Sequence, residues 1–134
     1  MTVRERLTQL ENLIEDLRRA NANTPILVEG AHDREALETL GCSGVILLVH
    51  DGERLIDTAD RLARNHQSLI LLLDWDRTGG SIHHRVKEVL ETHAVDVDEH
   101  FRQEMARLAR SEAKTIEEMP SVLQRLRERA GRVR

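Results

Sequence analysis

The chain has 134 residues, one cysteine and a formal net charge of −4. This length suits one domain, and a single cysteine can form neither an internal disulfide nor a cysteine-rich zinc site. Tyrosine is absent, and there are one tryptophan and one phenylalanine. These counts exclude a tyrosine nucleophile and argue against a nucleic-acid surface built on aromatic stacking. No segment stays apolar for the roughly 18 residues of a membrane span, so we expect a soluble, cytoplasmic protein that does not act at a membrane.

Residues 1–23 predict an N-terminal amphipathic helix. Thr2 and Glu5 fit a capping box at its start. Apolar residues then recur at steps of four and three, which draws one stripe along the helix: Val3, Leu7, Leu10, Ile14 and Leu17. The stripe either covers one face of a sheet or pairs with a second copy in a homodimer.

Residues 24–97 alternate apolar runs with amphipathic segments. The runs are Ile26–Val28, Val45–Val49 and Leu69–Leu73, with a weaker fourth at 94–97. The helices between them carry apolar residues on one side: Leu55, Ile56, Ala59, Leu62 and Ala63 in the second, and Ile82, Val86, Val89 and Leu90 in the third. Uninterrupted apolar strands between helices predict a doubly wound α/β fold in three α/β/α layers, with a mainly parallel four-stranded sheet.

Residues 98–134 predict a C-terminal helical extension of two helices with a break between them. Phe101, Met105 and Leu108 mark the first apolar stripe, and Val122, Leu123 and Leu126 mark the second. We expect Glu117 and Glu118, in the break, to lie in a solvated turn rather than to fold back as ligands. The N-terminal helix, the core and this extension are expected to form one compact domain.

Acidic residues follow the first and the third apolar run. Glu29 closes the first, and Asp74 and Asp76 close the third. Residues two apart in an extended stretch point the same way, so the two aspartates can face one ion. Strand order 2-1-3-4 would bring Glu29 to them at the carboxyl edge of the sheet. Such hard oxygen ligands suit Mg²⁺, with Mn²⁺ as a substitute. The alternative is that the aspartates only cap the next helix.

Two motifs carry a family resemblance. Val28-Glu29-Gly30-Ala31-His32-Asp33, followed about 40 residues later by Leu73-Asp74-Trp75-Asp76-Arg77-Thr78-Gly79, resembles the Toprim domain. Topoisomerases, bacterial primases and small maturation nucleases that act on structured RNA share this domain. The whole chain is most similar to the small stand-alone Toprim proteins of archaea.

The resemblance implies roles for individual residues. Glu29 matches the glutamate proposed as general acid or base, and Asp74 and Asp76 match the aspartates that bind Mg²⁺. Gly30 and Gly79 match turn glycines, and Asp33 matches an acidic position of the primase and nuclease branches. The remaining candidates would contact phosphate: Arg77, Arg34 and His32. Thr78 stands where topoisomerases carry a third acidic residue.

The implied function is magnesium-dependent phosphoryl transfer on nucleic acid, either RNA or DNA, most simply as a nuclease. A second reading is a non-catalytic subunit that binds metal and nucleic acid within a larger complex. A third is a phosphatase of the haloacid-dehalogenase type, in which Asp74 would be the nucleophile of an Asp-x-Asp-x-Thr motif. The third reading gives Glu29 no role, and only 54 residues follow Gly80 to supply its other motifs.

Overall fold

The computed structural model describes residues 1–109 and 112–132, without the side chain of Arg132. Within these ranges the helices and strands follow in this order: α1 Val3–Asn21, β1 Ile26–Val28, α2 Ala31–Thr39, β2 Ile46–Leu48, α3 Leu55–Asn65, β3 Ser68–Leu71, α4 Arg77–Thr92, β4 Asp96–Asp98, α5 His100–Ala109, a 3-10 turn Ile116–Glu118, and α6 Met119–Arg132. None of the helices in the described ranges combines the length and the apolar character needed to cross a membrane.

The four strands form one parallel sheet in the order β2-β1-β3-β4. β1 therefore lies between β2 and β3, and Ile26 is level with Ile46 on one side and with Ile70 on the other. The predicted fold class and strand order are confirmed. The carboxyl ends of β1 and β3 lie side by side at one edge of the sheet.

Helices α1, α2, α5 and α6 cover one face of the sheet. Thr2 Oγ1 accepts the Glu5 backbone N–H at 3.0 Å, as the capping motif predicts. Leu10 and Leu17 of α1 are fully buried, in the same cluster as Ile26 and Ile70 of the strands. Of the two alternatives for the apolar stripe of α1, the structure shows the first, in which the stripe covers the sheet.

Helices α3 and α4 cover the opposite face, against the strand residues Leu27, Leu69 and Leu71. The prediction for Ile56 in α3 is wrong, because this side chain is 52% exposed. Thr58 is buried instead, and its hydroxyl donates to Asp51 Oδ1 at 3.1 Å. The buried face of α3 therefore includes Thr58 and excludes Ile56. Hydrophobic periodicity does not reveal the polar contact between Thr58 and Asp51.

A buried arginine of α1 ties down the region after α5. Arg6 is 7% exposed, and its guanidinium donates to the backbone oxygens of Leu108 at 2.5 Å and Ala109 at 3.2 Å. It also binds both carboxylate oxygens of Glu112, at 3.1 and 2.9 Å. Because α1 lies against the sheet, this contact anchors the chain that leads into the 3-10 turn.

Candidate metal centre

The parallel pairing of β1 and β3 brings the two acidic motifs together. The Leu72 N–H donates to Leu27 O at 2.9 Å just beyond the paired strands, so the two chains leave the sheet side by side. Glu29 then reaches across, and its Oε2 accepts the backbone N–H of Asp74 at 3.2 Å. Residues 45 positions apart in sequence are therefore in direct contact, as the predicted strand order requires.

Three carboxyl groups form the cluster: Glu29, Asp33 and Asp74. Each offers one oxygen, and these oxygens all lie within 4.8 Å of one another. Asp33 comes from the first turn of α2, where its Oδ2 accepts the Gly30 N–H at 3.0 Å. Asp33 is 7% exposed, whereas the other two are half-buried. We call these three residues the acidic cluster.

The surroundings raise the pKa of two carboxyl groups of the acidic cluster. Burial, the hydrogen bond with Glu29 and the charges of Glu29 and Asp76 raise the pKa of Asp74 to about 8. Burial and the charge of Asp74 also raise the pKa of Asp33. Close carboxylates in a poorly solvated site resist ionising together. A bound divalent cation would offset the mutual repulsion of these carboxylates.

Asp76 lies beside the cluster as the N-cap of α4. Its Oδ1 accepts the Gly79 N–H at 2.7 Å. Its backbone is extended, at φ −74° and ψ 178°, but its side chain caps the helix that begins at Arg77, and the three carboxyls with oxygens within 4.8 Å of one another include Asp33 instead. The charge of Asp76 still reaches Asp74, where it helps to raise the pKa.

Gly79 is required by its closeness to Asp74. A Cβ at position 79 would lie 2.2 Å from the Asp74 carbonyl oxygen, far inside van der Waals contact. At Gly30 a Cβ would meet nothing within 4 Å, and the backbone there is extended at φ −148°. The structure thus gives a steric reason for one of the two predicted turn glycines.

A segment from the C-terminal part of the chain completes the surroundings of the cluster. We call residues 113–118 the C-terminal turn segment. Its Ile116 N–H donates to Asp74 Oδ1 at 2.9 Å. Its carbonyls at Lys114 and Ala113 accept from the backbone N–H and the indole N–H of Trp75, at 2.9 and 2.8 Å. Glu117 and Glu118 are exposed, as expected of a solvated turn, but the turn itself packs against the acidic cluster.

Relatives of the chain match it over most of their length. A UPF0292 protein of Pyrococcus furiosus is 33% identical over 123 residues, which are 92% of this chain and 90% of that protein. One of Thermococcus sibiricus is 32% identical over 115 residues, 86% of this chain and 88% of the relative. The chain belongs to the UPF0292 family.

A solved structure agrees with the fold of this UPF0292 chain. A protein from Aquifex aeolicus is 32% identical, with a TM-score of 0.68 over 80% of this chain and 94% of that one. No model of a known protein family matches the chain. The parallel sheet in the order 2-1-3-4, with acidic residues at its carboxyl edge, is consistent with a Toprim-like fold.

Arg102 of α5 is a site residue that the sequence did not reveal. Its Nε donates to Leu73 O at 2.9 Å and its Nη2 donates to Asp74 O at 2.8 Å. Burial lowers the pKa of Arg102, and the nearby carboxylates, Asp74 and Glu29 among them, oppose that shift. The guanidinium thus holds the backbone at the end of the third apolar run and places one positive charge beside the acidic cluster.

The other predicted cationic residues lie on the surface around the cluster. Arg34 and Arg77 are exposed, in the first turns of α2 and α4 respectively. The side chain of His32 is 77% exposed, and its Nδ1 lies 3.6 Å from Glu35 Oε2. These three residues are close to the acidic residues in sequence, and their side chains are exposed and accessible to a ligand.

Proposed function

We propose that this chain is a Toprim-type protein that binds Mg²⁺ at the acidic cluster and cleaves phosphodiester bonds in nucleic acid. The observation that carries the proposal is the convergence of Glu29, Asp33 and Asp74 from two distant stretches of chain at the carboxyl edge of the sheet. Open parallel sheets bind their ligands at this edge.

The residues present fit a hard divalent cation. All three groups of the cluster are carboxyl groups, and Mg²⁺ and Mn²⁺ prefer oxygen ligands, whereas zinc sites draw on cysteine and histidine. The closeness of the three groups points the same way, because a bound cation would offset the mutual repulsion of their carboxylates. Asp74 is thus the first ligand we assign, with Asp76 and Asp33 as further candidates.

Different residues of the chain would have different roles in phosphodiester cleavage. When bound, Mg²⁺ supplies a positive charge that neutralises the phosphate oxygens and orients the attacking group. Glu29 is the proton carrier, since its carboxyl lies at the centre of the cluster, 3.2 Å from the Asp74 amide. Arg34 and Arg77 would bind the substrate backbone through charge-assisted hydrogen bonds, and His32 offers a further phosphate contact.

The contact between Glu29 and Asp74 also separates this proposal from the phosphatase reading. The phosphatase reading gives Glu29 no role, whereas Glu29 Oε2 accepts the Asp74 N–H at 3.2 Å within the acidic cluster. In the alternative of a binding-only subunit, the chain would have the same metal site and would bind nucleic acid without cleaving it.

A cleavage assay tests the proposal. Structured RNA and DNA are incubated with the full chain and Mg²⁺, and the wild type is compared with Glu29→Gln, Asp74→Asn and the control Glu38→Gln. Glu38 is an exposed acid on α2, the helix that carries Asp33, so its replacement removes one charge outside the cluster.

We expect magnesium-dependent cleavage by the wild type and by Glu38→Gln. Loss of a proton-transferring group typically costs about 10²- to 10⁴-fold in rate, and we expect a fall of this size in Glu29→Gln. Nucleic-acid binding by all variants without turnover in any would favour the binding-only subunit. Cleavage that survives in both Glu29→Gln and Asp74→Asn would refute the proposed site.

A further inference from the structure

The amide of Ile116 links the C-terminal turn segment to Asp74 of the acidic cluster, as the Glu117 backbone links it to Asp33. It donates to Asp74 Oδ1 at 2.9 Å across 42 positions of sequence. Asp74 has two carboxyl oxygens, so this contact fixes one of them. The Asp74 backbone is held as well, at its N–H by Glu29 and at its carbonyl by Arg102.

The position of this amide is set by contacts away from the cluster. The Ile116 side chain is fully buried in the core between the sheet and the helices. Glu118 Oε1 accepts the Lys114 N–H at 3.2 Å and the Thr115 hydroxyl at 2.9 Å, which closes the turn on its exposed side. The donor to Asp74 is therefore pre-arranged by the fold.

We infer that the Ile116 backbone N–H is a positioning group of the metal site, which orients the Asp74 carboxylate for the cation. The C-terminal turn segment then contributes to metal binding as well as to the packing of the fold. Groups that hold a metal-binding side chain in place typically change metal affinity by about 10- to 100-fold when they are removed. The inference rests on the proposed metal binding by Asp74.

Proline at position 116 removes this donor and is compatible with the local backbone conformation. Proline lacks a backbone N–H and is well tolerated at the first position of a helical turn. It requires an extended residue before it, and Thr115 is extended, at φ −135° and ψ 154°. Ile116→Pro also loses buried side-chain volume, so Ile116→Ala is the matched variant that loses volume and keeps the N–H.

The readout is the Kd for Mn²⁺, measured by calorimetry on the full chain well below the unfolding midpoint of each variant. We expect Ile116→Pro to bind Mn²⁺ at least about tenfold more weakly than Ile116→Ala. A merely structural role of residue 116 would weaken folding in both variants, whereas only the loss of the N–H separates their affinities. Equal affinities for the two variants would overturn the inference.

A second pair keeps the test decisive should Ile116→Pro fail to fold. Glu118→Ala removes the acceptor that closes the turn, whereas Glu118→Gln removes the same charge and keeps an acceptor. Both changes are on the surface, and neither touches a cluster residue. We expect weaker Mn²⁺ binding in Glu118→Ala than in Glu118→Gln, and equal binding would count against the inference.

Asp74→Asn separates failure of this inference from failure of the proposed function. Mn²⁺ binding that is unchanged in Asp74→Asn, or absent from the wild type, would refute the proposed metal site and the inference together. Binding that is lost in Asp74→Asn but equal in the two variants at position 116 would refute the positioning role and leave the metal site in place.

Discussion

Two loops leave the carboxyl edge of the sheet with aspartates that face opposite surroundings. In the loop after β2, the Glu53 N–H, the Thr58 hydroxyl and Arg61 hold the pKa of Asp51 below its usual range. In the loop after β3, burial and neighbouring acids raise the pKa of Asp74 to about 8. Asp51 is paired with groups of the chain itself, whereas Asp74 lies among carboxyl groups whose repulsion a bound cation would offset.

The difference distinguishes an acidic residue that serves the fold from one that serves a ligand. Charges paired within the chain at the surface contribute little and need no further partner. Carboxyls crowded without an adequate counter-charge cost free energy in the metal-free protein. Binding of a cation would therefore lower the free energy of the loop after β3 by offsetting the repulsion between these carboxyls.

The largest expected effect comes from Gly79 in the first turn of α4, with Gly52 in the loop after β2 as the comparison. Gly79→Ala would place a Cβ 2.2 Å from the Asp74 carbonyl oxygen, which costs about 3 kcal/mol of unfolding free energy and displaces Asp74. Gly52 has a φ of +96° and no atom within 4 Å of an added Cβ, so Gly52→Ala should cost only about 1 kcal/mol of backbone strain. Urea unfolding and Mn²⁺ titration check both.

We expect Gly79→Ala to lose Mn²⁺ binding and Gly52→Ala to keep it. If the two variants bind Mn²⁺ equally well, the loop after β3 does not shape the metal site.

An intermediate effect is expected from pH. Because the pKa of Asp74 is raised from 3.8 to about 8 in the folded chain, the native state binds this proton more tightly than the unfolded state. The free energy of unfolding of the metal-free protein should therefore fall as the pH rises from about 4 to about 8. We expect this group to account for about 1–2 kcal/mol, after solvent screening of a half-exposed side chain.

Urea unfolding in EDTA at pH 5 and pH 8 measures this effect, with Asp74→Asn as the reference that cannot titrate at this position. The wild type should lose more stability than the variant between the two pH values. Identical losses of stability in the wild type and in Asp74→Asn would show that Asp74 is not the group responsible for the pH dependence.

The smallest effect is expected at Asp51. Asp51→Asn weakens the ion pair with Arg61 and should lower the free energy of unfolding by less than about 1 kcal/mol. Mn²⁺ affinity should stay at the wild-type value, because Asp51 is outside the acidic cluster. A marked loss of Mn²⁺ binding in this variant would show that the two loops share one site.

The parallel sheet could be predicted from local patterns, and the meeting of Glu29 with Asp74 followed from assuming the common doubly wound strand order 2-1-3-4. Apolar runs between helices predict a parallel sheet, and its strand order brings the two carboxyl ends together. Thr2 was predicted correctly as a cap for the same reason, since the signal lies within four residues.

The rest of the site depends on contacts that the sequence does not encode locally. Asp76 is extended, as the spacing predicts, but its carboxylate caps α4, and Asp33 completes the set of three carboxyls. Arg102 lies 28 positions from Asp74, and the Ile116 donor is a backbone amide with no residue signature. Only the path of the C-terminal helices across the sheet brings these two groups to the site.

Anomalous diffraction from crystals of the full chain soaked in Mn²⁺ tests the central claim most directly. We predict a manganese peak bound by the carboxylate of Asp74 within the acidic cluster, and no peak in the loop that contains Asp51. Manganese bound only elsewhere, with the acidic cluster empty at saturating Mn²⁺, would contradict it.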